Sequence, residues 1–258
     1  MGKDSKIAWT DHTFNPWWGC TKIGQECVFC YAEEQAHRWG FKCWGNAPRR
    51  LFGDSHWNDP VRWNKAAEKS GKREKVFCGS MCDVFEDGVP GLDKQRTLLW
   101  KLIEATPTLD WLLLTKRPAN IALTGLLPNV WLGTTVGCRS GLRRVDELRR
   151  LPATVRFLSV EPLLEDLGTV DLSGINWVIV GCESGPNARQ MQLDWVRSLR
   201  DQCVSAGVPL FFKQAWVQGK LDHDPKLDGR TWRQFPERRC EMSPHLNNFG
   251  RSCGGNGR

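Results

Sequence analysis

The sequence of 258 residues lacks an apolar run that could cross a membrane. No stretch approaches the roughly 20 apolar residues of a membrane-spanning helix, and residues 1–13 contain no apolar core of the kind a signal peptide needs. The eleven cysteines are an odd number, which excludes a complete disulfide framework. Without an export signal, so many cysteines indicate reduced thiols. We therefore expect a cytoplasmic protein that does not contact a membrane.

The glycine-rich turns that bind nucleotide phosphates are also missing. The chain has neither G-x-G-x-x-G nor a P-loop, so the usual sign of a doubly wound nucleotide-binding sheet is absent. Tyrosine is scarce too, with one Tyr against fourteen Trp. The net charge of +7 and the isoelectric point of about 8.9 suit an anionic partner such as nucleic acid, although a basic surface can also simply aid solubility.

Short apolar runs alternate with helical patterns along most of the chain. The runs cover residues 76–79, 111–116, 130–135, 155–161, 177–181 and 208–213. Their continuous β-rich composition is typical of strands that are buried on both faces of a parallel sheet. Residues 95–105, 143–151 and 193–206 place apolar side chains at helical spacing. This alternation predicts βαβ units.

Polar side chains follow nearly every predicted strand, which favours a barrel over a doubly wound sheet. Function in a (β/α) barrel is carried by residues at the carboxyl ends of its strands. We therefore predict an α/β fold with a complete or partial parallel (β/α) barrel of the TIM-barrel kind. It would span residues 1–217, with residues 13–19 as its first strand and an insertion at about 39–75. Residues 218–258 would form a basic C-terminal extension.

Cys20, Cys27 and Cys30 form a C-x6-C-x2-C cluster, with Phe29 directly before the last thiol. Three thiolates are one ligand short of a closed zinc site or a fully protein-ligated iron–sulfur cluster. From the residues alone, three interpretations remain open. The thiols could bind zinc with a fourth ligand from elsewhere, they could be unrelated buried cysteines, or they could hold a four-iron cluster with one iron left free.

The three cysteines with an aromatic residue before the third, placed after the first strand of a parallel barrel, resemble the radical SAM superfamily. Its usual spacing is C-x3-C-x2-C, so the six-residue gap of this chain is a departure. The resemblance implies that Cys20, Cys27 and Cys30 hold a 4Fe-4S cluster. It also implies that S-adenosylmethionine binds the iron left free, beside Phe29.

A closer resemblance covers nearly the whole chain. It is carried by KIAWTDHTFNPWWGC, LLLTKRP, VWLGTTV, LSVEPLL, CESGPNAR, VPLFFKQ and LDGRTWRQFP. In this order the runs resemble an uncharacterised family of phage and bacterial proteins with the three-cysteine motif, which is regarded as radical-SAM-like. In that superfamily the end of the second strand holds the methionyl amino group. Here this place corresponds to Gly79, Ser80 and Asp83, although Asp83 also suits the cap of a following helix.

Other strand ends supply the remaining candidate residues. Lys116 could bind a carboxylate or phosphate, or lie in a solvated turn. Glu161 is a candidate contact for ribose or the amino-acid group of the cofactor. Glu183 and Lys213 are the candidate catalytic residues, with substrate contact or proton transfer expected of Glu183. A single carboxylate after a strand is often only a helix cap, but these positions are equivalent around one barrel.

The tryptophans of the predicted insertion allow two interpretations. Trp39, Trp44, Trp57 and Trp63 lie among arginines and lysines. Interleaved aromatic and basic side chains can stack and neutralise single-stranded nucleic acid. They can equally form a small satellite core with a solvated rim.

Together these features predict a radical SAM enzyme that cleaves S-adenosylmethionine reductively. Its substrate would be a nucleotide or nucleic-acid base, and its electrons would come from a reductant such as flavodoxin or ferredoxin. One alternative is a zinc-stabilised nucleic-acid-binding protein without catalysis. Another is a barrel whose cluster is structural or redox-active only.

Overall fold

A computed structural model of the protein describes residues 2–122 and 127–237. Within them are twelve strands. They are β1 (His12–Phe14), β2 (Trp17–Trp18), β3 (Arg50–Leu51), β4 (Glu74–Cys78), β5 (Leu109–Thr115), β6 (Val130–Thr135), β7 (Val155–Val160), β8 (Trp177–Gly181), β9 (Leu210–Val217), β10 (Lys220–Asp222), β11 (Lys226–Leu227) and β12 (Arg230–Thr231).

The same residues contain six α-helices and three short 3-10 turns. The helices are α1 (Tyr31–Arg38), α2 (Asp54–Trp57), α3 (Asp59–Ser70), α4 (Leu92–Glu104), α5 (Arg143–Arg149) and α6 (Leu193–Ala206). The 3-10 turns are Gln25–Cys27, Pro118–Asn120 and Arg139–Gly141. No helix in the described part of the chain is long and apolar enough to cross a membrane.

Eight strands form one sheet in the order β1-β4-β5-β6-β7-β8-β9-β10. The first seven are parallel to one another, and β10 adds an antiparallel edge by pairing with β9. From β4 to β10, strands that are neighbours in the sheet are also consecutive along the chain, so the sheet grows in one direction. The predicted α/β fold is confirmed, in its partial-barrel form, with β1 and β10 as the two edges.

The two faces of the sheet bury different side chains, because successive residues of a strand point to opposite sides. On one face, α4, α5 and α6 pack against aliphatic residues such as Leu113 and Leu132. The other face carries an aromatic cluster that includes Trp131, Phe157 and Trp177. Towards the carboxyl ends of the strands this second face changes from aromatic to polar, and there it borders a cavity.

The sequence located the main strands and helices correctly, and the largest difference lies at the start of the barrel. Residues 13–19 were expected to form one strand, but only His12–Phe14 joins the sheet. Pro16 has no backbone N–H for a ladder, and Trp17–Trp18 pairs instead with Arg50–Leu51. Within the predicted insertion, α3 is the helix that connects back to β4. Of the predicted extension, β10 joins the main sheet, and residues 238–258 lie outside the described residues.

Gly133 of β6 gives a test of the aromatic face. A Cβ added there would lie 2.3 Å from a ring carbon of Phe157, a side chain with no exposed surface. Overpacking of this kind typically costs about 1–3 kcal/mol. We expect Gly133→Ala to lower the free energy of unfolding by that amount in urea titrations. Gly53→Ala is the control, because its Cβ would meet open space at a negative φ. Equal stability of the two variants would contradict this packing.

Candidate functional site

A cavity of about 380 Å³ lies at the carboxyl ends of the parallel strands. This is within the range of small-ligand sites. Its floor is apolar and includes Trp9, Phe77 and Leu114, which lie on the aromatic face of the sheet. Its wall is polar because the strand ends turn their side chains into it. The polar residues from the strand ends are Ser80, Lys116, Thr135, Ser159, Glu161, Ser184, Lys213 and Gln214.

All three cysteines of the motif line this cavity. Cys20 follows β2, Cys27 ends a 3-10 turn, and Cys30 directly precedes α1. Cys27 is buried, whereas Cys20 and Cys30 are half-buried. In residues 2–122 and 127–237, no three His, Cys, Asp or Glu side chains are grouped around one position as the ligands of a single metal ion would be. The thiolates of an iron–sulfur cluster bind different irons, and their sulfurs therefore stand farther apart than the ligands of a single metal ion.

The residue after the first cysteine is held by a buried ion pair. Glu86 receives two hydrogen bonds from Arg49, at 3.0 and 2.9 Å, and both side chains are 2% exposed. Glu86 also accepts the backbone N–H of Thr21 at 2.7 Å. The guanidinium of Arg49 donates to Thr21 Oγ1 at 2.9 Å. These contacts fix the position of Thr21 relative to the segment that follows β4.

Arg117 adds a second connection at the same place. Its guanidinium donates to the Thr21 carbonyl at 2.7 Å and to Asp83 Oδ2 at 3.0 Å, and it lies 3.7 Å from Cys20 Sγ. Burial and the carboxylate of Asp83 raise the pKa of the Cys20 thiol to about 12, although Arg117 opposes the shift. A metal that binds this thiol must therefore displace a proton.

The residue before the second cysteine is held by another buried pair. Glu26 Oε1 accepts from Arg144 at 2.7 Å and from the Gly137 N–H at 3.3 Å. Arg144 also donates to the carbonyl of Thr135 at the end of β6. Burial alone would raise the pKa of Glu26, but its own backbone N–H and Arg144 outweigh burial and lower it. The carboxylate is thus charged and fixed to the barrel.

Residues 21–26, which separate the first two cysteines, are therefore anchored at both ends. Thr21 is attached beside β4 and β5, and Glu26 beside β6 and α5. The turn into the segment depends on Gly19, whose φ is +113° and whose added Cβ would lie 2.0 Å from the Cys43 carbonyl oxygen. The longer gap, which departs from the usual superfamily spacing, thus has a defined conformation rather than a free loop.

The candidates after β4 line the cavity, but one has little capacity left for a ligand. Asp83 accepts from Thr115 Oγ1 at 2.7 Å, from the Lys116 N–H at 3.0 Å and from Arg117. Asp83 also accepts the N–H of Phe85, as a turn-capping residue does. Gly79 and Ser80 line the cavity as well.

Lys213 and Glu161 meet across the cavity wall, with the ammonium 2.8 Å from Glu161 Oε1. Ser159 donates to the other oxygen of Glu161 at 3.3 Å. Lys116 also lines the cavity, half-buried, and the described residues give its ammonium no ion pair. Three candidates that the sequence placed at strand ends, Lys116, Glu161 and Lys213, therefore line the same cavity.

Phe29 and Glu183 do not line the cavity that the described residues form. Glu183 accepts three hydrogen bonds from Arg189, one from its backbone N–H at 2.9 Å and two from its guanidinium at 2.8 and 2.6 Å. Arg189 also donates to the Gln25 carbonyl at 3.0 Å and lies 5.2 Å from the ring centre of Phe29. Glu183 and Arg189 thus hold the cysteine segment from its outer side.

Sequence reasoning missed the residues that hold the cysteine segment. Arg49 and Glu86 are 37 residues apart, and Glu26 and Arg144 are 118 apart, so no local pattern connects them. Tyr31 had a local signal, since it is the single Tyr and follows Cys30. It lines the cavity and donates to the Ser80 carbonyl at 2.8 Å.

Glu86→Gln tests the first anchor. The change leaves the buried Arg49 guanidinium without its counter-charge, a loss that typically costs about 3–5 kcal/mol. We expect the free energy of unfolding to fall by that amount in urea titrations. Asp93→Asn is the control, because the Asp93 side chain is 96% exposed and its pair with Arg96 is worth less than about 1 kcal/mol. Similar losses in both variants would contradict the assigned role of Glu86.

Comparisons with known proteins show a low similarity to solved structures and a match to one protein family. A spore photoproduct lyase mutant with bound AdoMet and dinucleoside spore photoproduct is 14% identical, with a TM-score of 0.47 over 85% of this chain and 68% of that chain. A second lyase structure, complexed with dinucleoside spore photoproduct, is 13% identical, with a TM-score of 0.46 and the same shares covered. No curated protein matches the chain. Residues 4–236 match the model of a family described as protein of unknown function (DUF5131), and the chain therefore belongs to that family.

Proposed function

We propose that the protein is a radical SAM enzyme in which Cys20, Cys27 and Cys30 hold a 4Fe-4S cluster. The observation that carries the proposal is that these three thiols face one cavity, together with the polar ends of the strands. Thiolates are soft ligands that select iron–sulfur clusters, zinc or copper(I). Three of them leave one iron of a four-iron cluster available to a small molecule.

The donor set fits such a cluster. Because residues 21–26 are anchored at both ends, Cys20 and Cys27 are held on opposite sides of a fixed segment rather than on one flexible loop. Cys30 is fixed by the start of α1 and by the hydrogen bond of Tyr31. When bound, the cluster supplies the electron that cleaves S-adenosylmethionine to a 5′-deoxyadenosyl radical.

Residues of the cavity wall would bind the cofactor. Lys116 is the best candidate for its carboxylate, because Lys116 is half-buried, lines the cavity and forms no ion pair within the described residues. The backbone around Gly79 and Ser80 offers carbonyl oxygens for the cofactor's amino group. Asp83 would act less directly, by holding Lys116 and Arg117 in place through hydrogen bonds that already occupy its oxygens.

The ion pair of Lys213 and Glu161 would serve the substrate side of the cavity. An ammonium has three N–H donors, so Lys213 would donate to an oxygen or nitrogen of the substrate while it keeps its ion pair with Glu161. Glu161 would orient Lys213 and contact ribose. Glu183, bound by Arg189, would position the cysteine segment and Phe29 rather than transfer a proton.

A nucleotide or nucleic-acid base is the substrate class that this site favours. The apolar floor suits a planar ring, and the lysines of the wall suit a phosphate. Electrons would come from a small acidic carrier such as flavodoxin or ferredoxin. The outer side of the cysteine segment offers exposed apolar side chains for such a partner, with Ile23 44%, Val28 49% and Phe29 42% exposed.

Anaerobic purification with iron and sulfide analysis tests the proposal. We expect about four irons and four sulfides per chain, and 5′-deoxyadenosine after reduction in the presence of S-adenosylmethionine. Cys27→Ala should abolish both. Cys203→Ala, which removes a buried thiol of α6, should leave both intact. Colourless protein with stoichiometric zinc and no cleavage would instead support a zinc-stabilised protein without catalysis.

Lys116→Ala tests the cofactor site separately from the cluster. Loss of a charged hydrogen bond typically costs about 1.5–3 kcal/mol. We therefore expect the Kd for S-adenosylmethionine to rise about 10- to 100-fold in calorimetric titrations of the reconstituted protein, at unchanged iron content. Lys101→Ala, on the exposed side of α4, should leave the Kd unchanged. An unchanged Kd in Lys116→Ala would place the carboxylate elsewhere.

A further inference from the structure

An aromatic surface lies beside the cysteine segment, and the proposed chemistry does not use it. It consists of Trp18, Trp39, Phe41, Arg50 and Phe52, and we call it the Trp39 surface. Trp18 and Trp39 stack with ring centres 5.1 Å apart. The Arg50 guanidinium lies 3.8 Å from the ring centre of Phe41 and 4.3 Å from that of Trp18. The side chains of the Trp39 surface therefore pack against one another outside the main core.

The outer part of this surface is open to solvent. Trp39 is 44% exposed although one of its faces covers Trp18, so its exposed area belongs to the opposite face and the ring edge. In contrast, Trp44 and Trp63 are buried, 8% and 6% exposed, and serve the core. The sequence left a stacking role and a satellite core open for these tryptophans. The structure buries Trp44 and Trp63 and leaves Trp39 exposed, so a stacking role stays open for Trp39.

Positive charge is concentrated in the same part of the chain. Residues 38–75 contain ten Lys and Arg but four Asp and Glu, so they carry six of the seven net positive charges. Four of the basic residues pair with carboxylates outside this stretch, namely Arg38, Arg49, Arg73 and Lys75. The stretch remains positive after these pairs, and Lys42, next to Phe41, is exposed. Of these charges, Arg50 and Lys42 lie at the Trp39 surface itself, and an aromatic platform with two cations suits a polyanion with flat rings.

The Trp39 surface continues into the wall of the cavity. Trp18, Phe41, Cys20 and Cys30 pack around one small buried cluster that contains Trp44. Trp44 itself lines the cavity. The Trp39 surface and the cavity wall therefore pack against the same buried cluster and lie close to each other.

We propose that the Trp39 surface binds single-stranded nucleic acid. One base stacks on the open face of Trp39, and the neighbouring phosphates lie near Lys42 and Arg50. A single strand is favoured over a duplex because its bases expose their flat faces, whereas a duplex buries them. The inference rests on the proposed function in one respect only, since it makes the substrate a nucleotide within a strand.

Fluorescence anisotropy with a labelled single strand of about 12 nucleotides tests binding by the full-length, cluster-containing protein. We expect Trp39→Ala to raise the Kd at least about tenfold and Trp39→Phe to raise it less. Phe235→Ala is the matched control. Phe235 is 40% exposed and has Lys75 at 5.2 Å from its ring centre, but it packs on Trp177 at the opposite end of the sheet. Its removal should leave the Kd unchanged.

Lys42→Gln separates phosphate contact from stacking. Removal of one phosphate contact should lower the dependence of log K on log salt by about 0.7, whereas Trp39→Phe should leave that slope unchanged. The inference fails if Trp39→Ala and Phe235→Ala bind alike, if a duplex of equal length binds more tightly than the single strand, or if no oligonucleotide binds. The last result would leave a protein as the partner of this surface.

The same preparations show whether the proposed function and this inference fail together. Formation of 5′-deoxyadenosine reports on the cysteine site and needs no oligonucleotide. Strand binding that depends on Trp39, without cleavage of S-adenosylmethionine, would retain the inference and reject the radical enzyme. Cleavage of S-adenosylmethionine without strand binding would retain the radical enzyme and reject the inference.

Discussion

The buried pair of Arg49 and Glu86 is the interaction on which the cysteine site depends. An unpaired charge at 2% exposure would be costly, so each side chain requires the other. Glu86 accepts a hydrogen bond from the N–H of Thr21. Arg49 donates to the Thr21 hydroxyl and to three backbone carbonyls nearby. Through them the first cysteine, the segment after it and the end of β4 form one unit. Glu26 and Arg144 complete this unit at the second cysteine.

The barrel determines what this unit faces. Seven parallel strands end at one edge, where their side chains change from aromatic to polar, and the cysteine segment covers that edge. Three thiols, Lys116 and the pair of Lys213 and Glu161 therefore line one cavity. The outward side of the same segment carries exposed apolar residues, and the Trp39 surface adjoins it. In the proposed enzyme, cofactor binding, electron entry and substrate approach would therefore use separate surfaces around one site.

Much of the fold could be predicted from the sequence because its determinants are local. The apolar runs around Leu112 and Val178 and the helical spacing of α4 and α6 need no tertiary information, and the strand ends followed from them. The first strand was placed wrongly in part, since Pro16 ends it early. The two buried ion pairs could not be predicted, because their partners are far apart in the chain and charged side chains are rarely buried. Asp83 and Glu183 are hydrogen-bonded to other residues of the protein, which their positions in the sequence cannot show.

The central claim is that three cysteines hold a four-iron cluster with one iron open to S-adenosylmethionine. Electron paramagnetic resonance of the reduced protein, recorded with and without S-adenosylmethionine, tests it most directly. We expect the signal of a reduced 4Fe-4S cluster whose g values shift when S-adenosylmethionine is added. A protein that shows no cluster signal after anaerobic reconstitution, or a cluster signal that S-adenosylmethionine leaves unchanged, would contradict it.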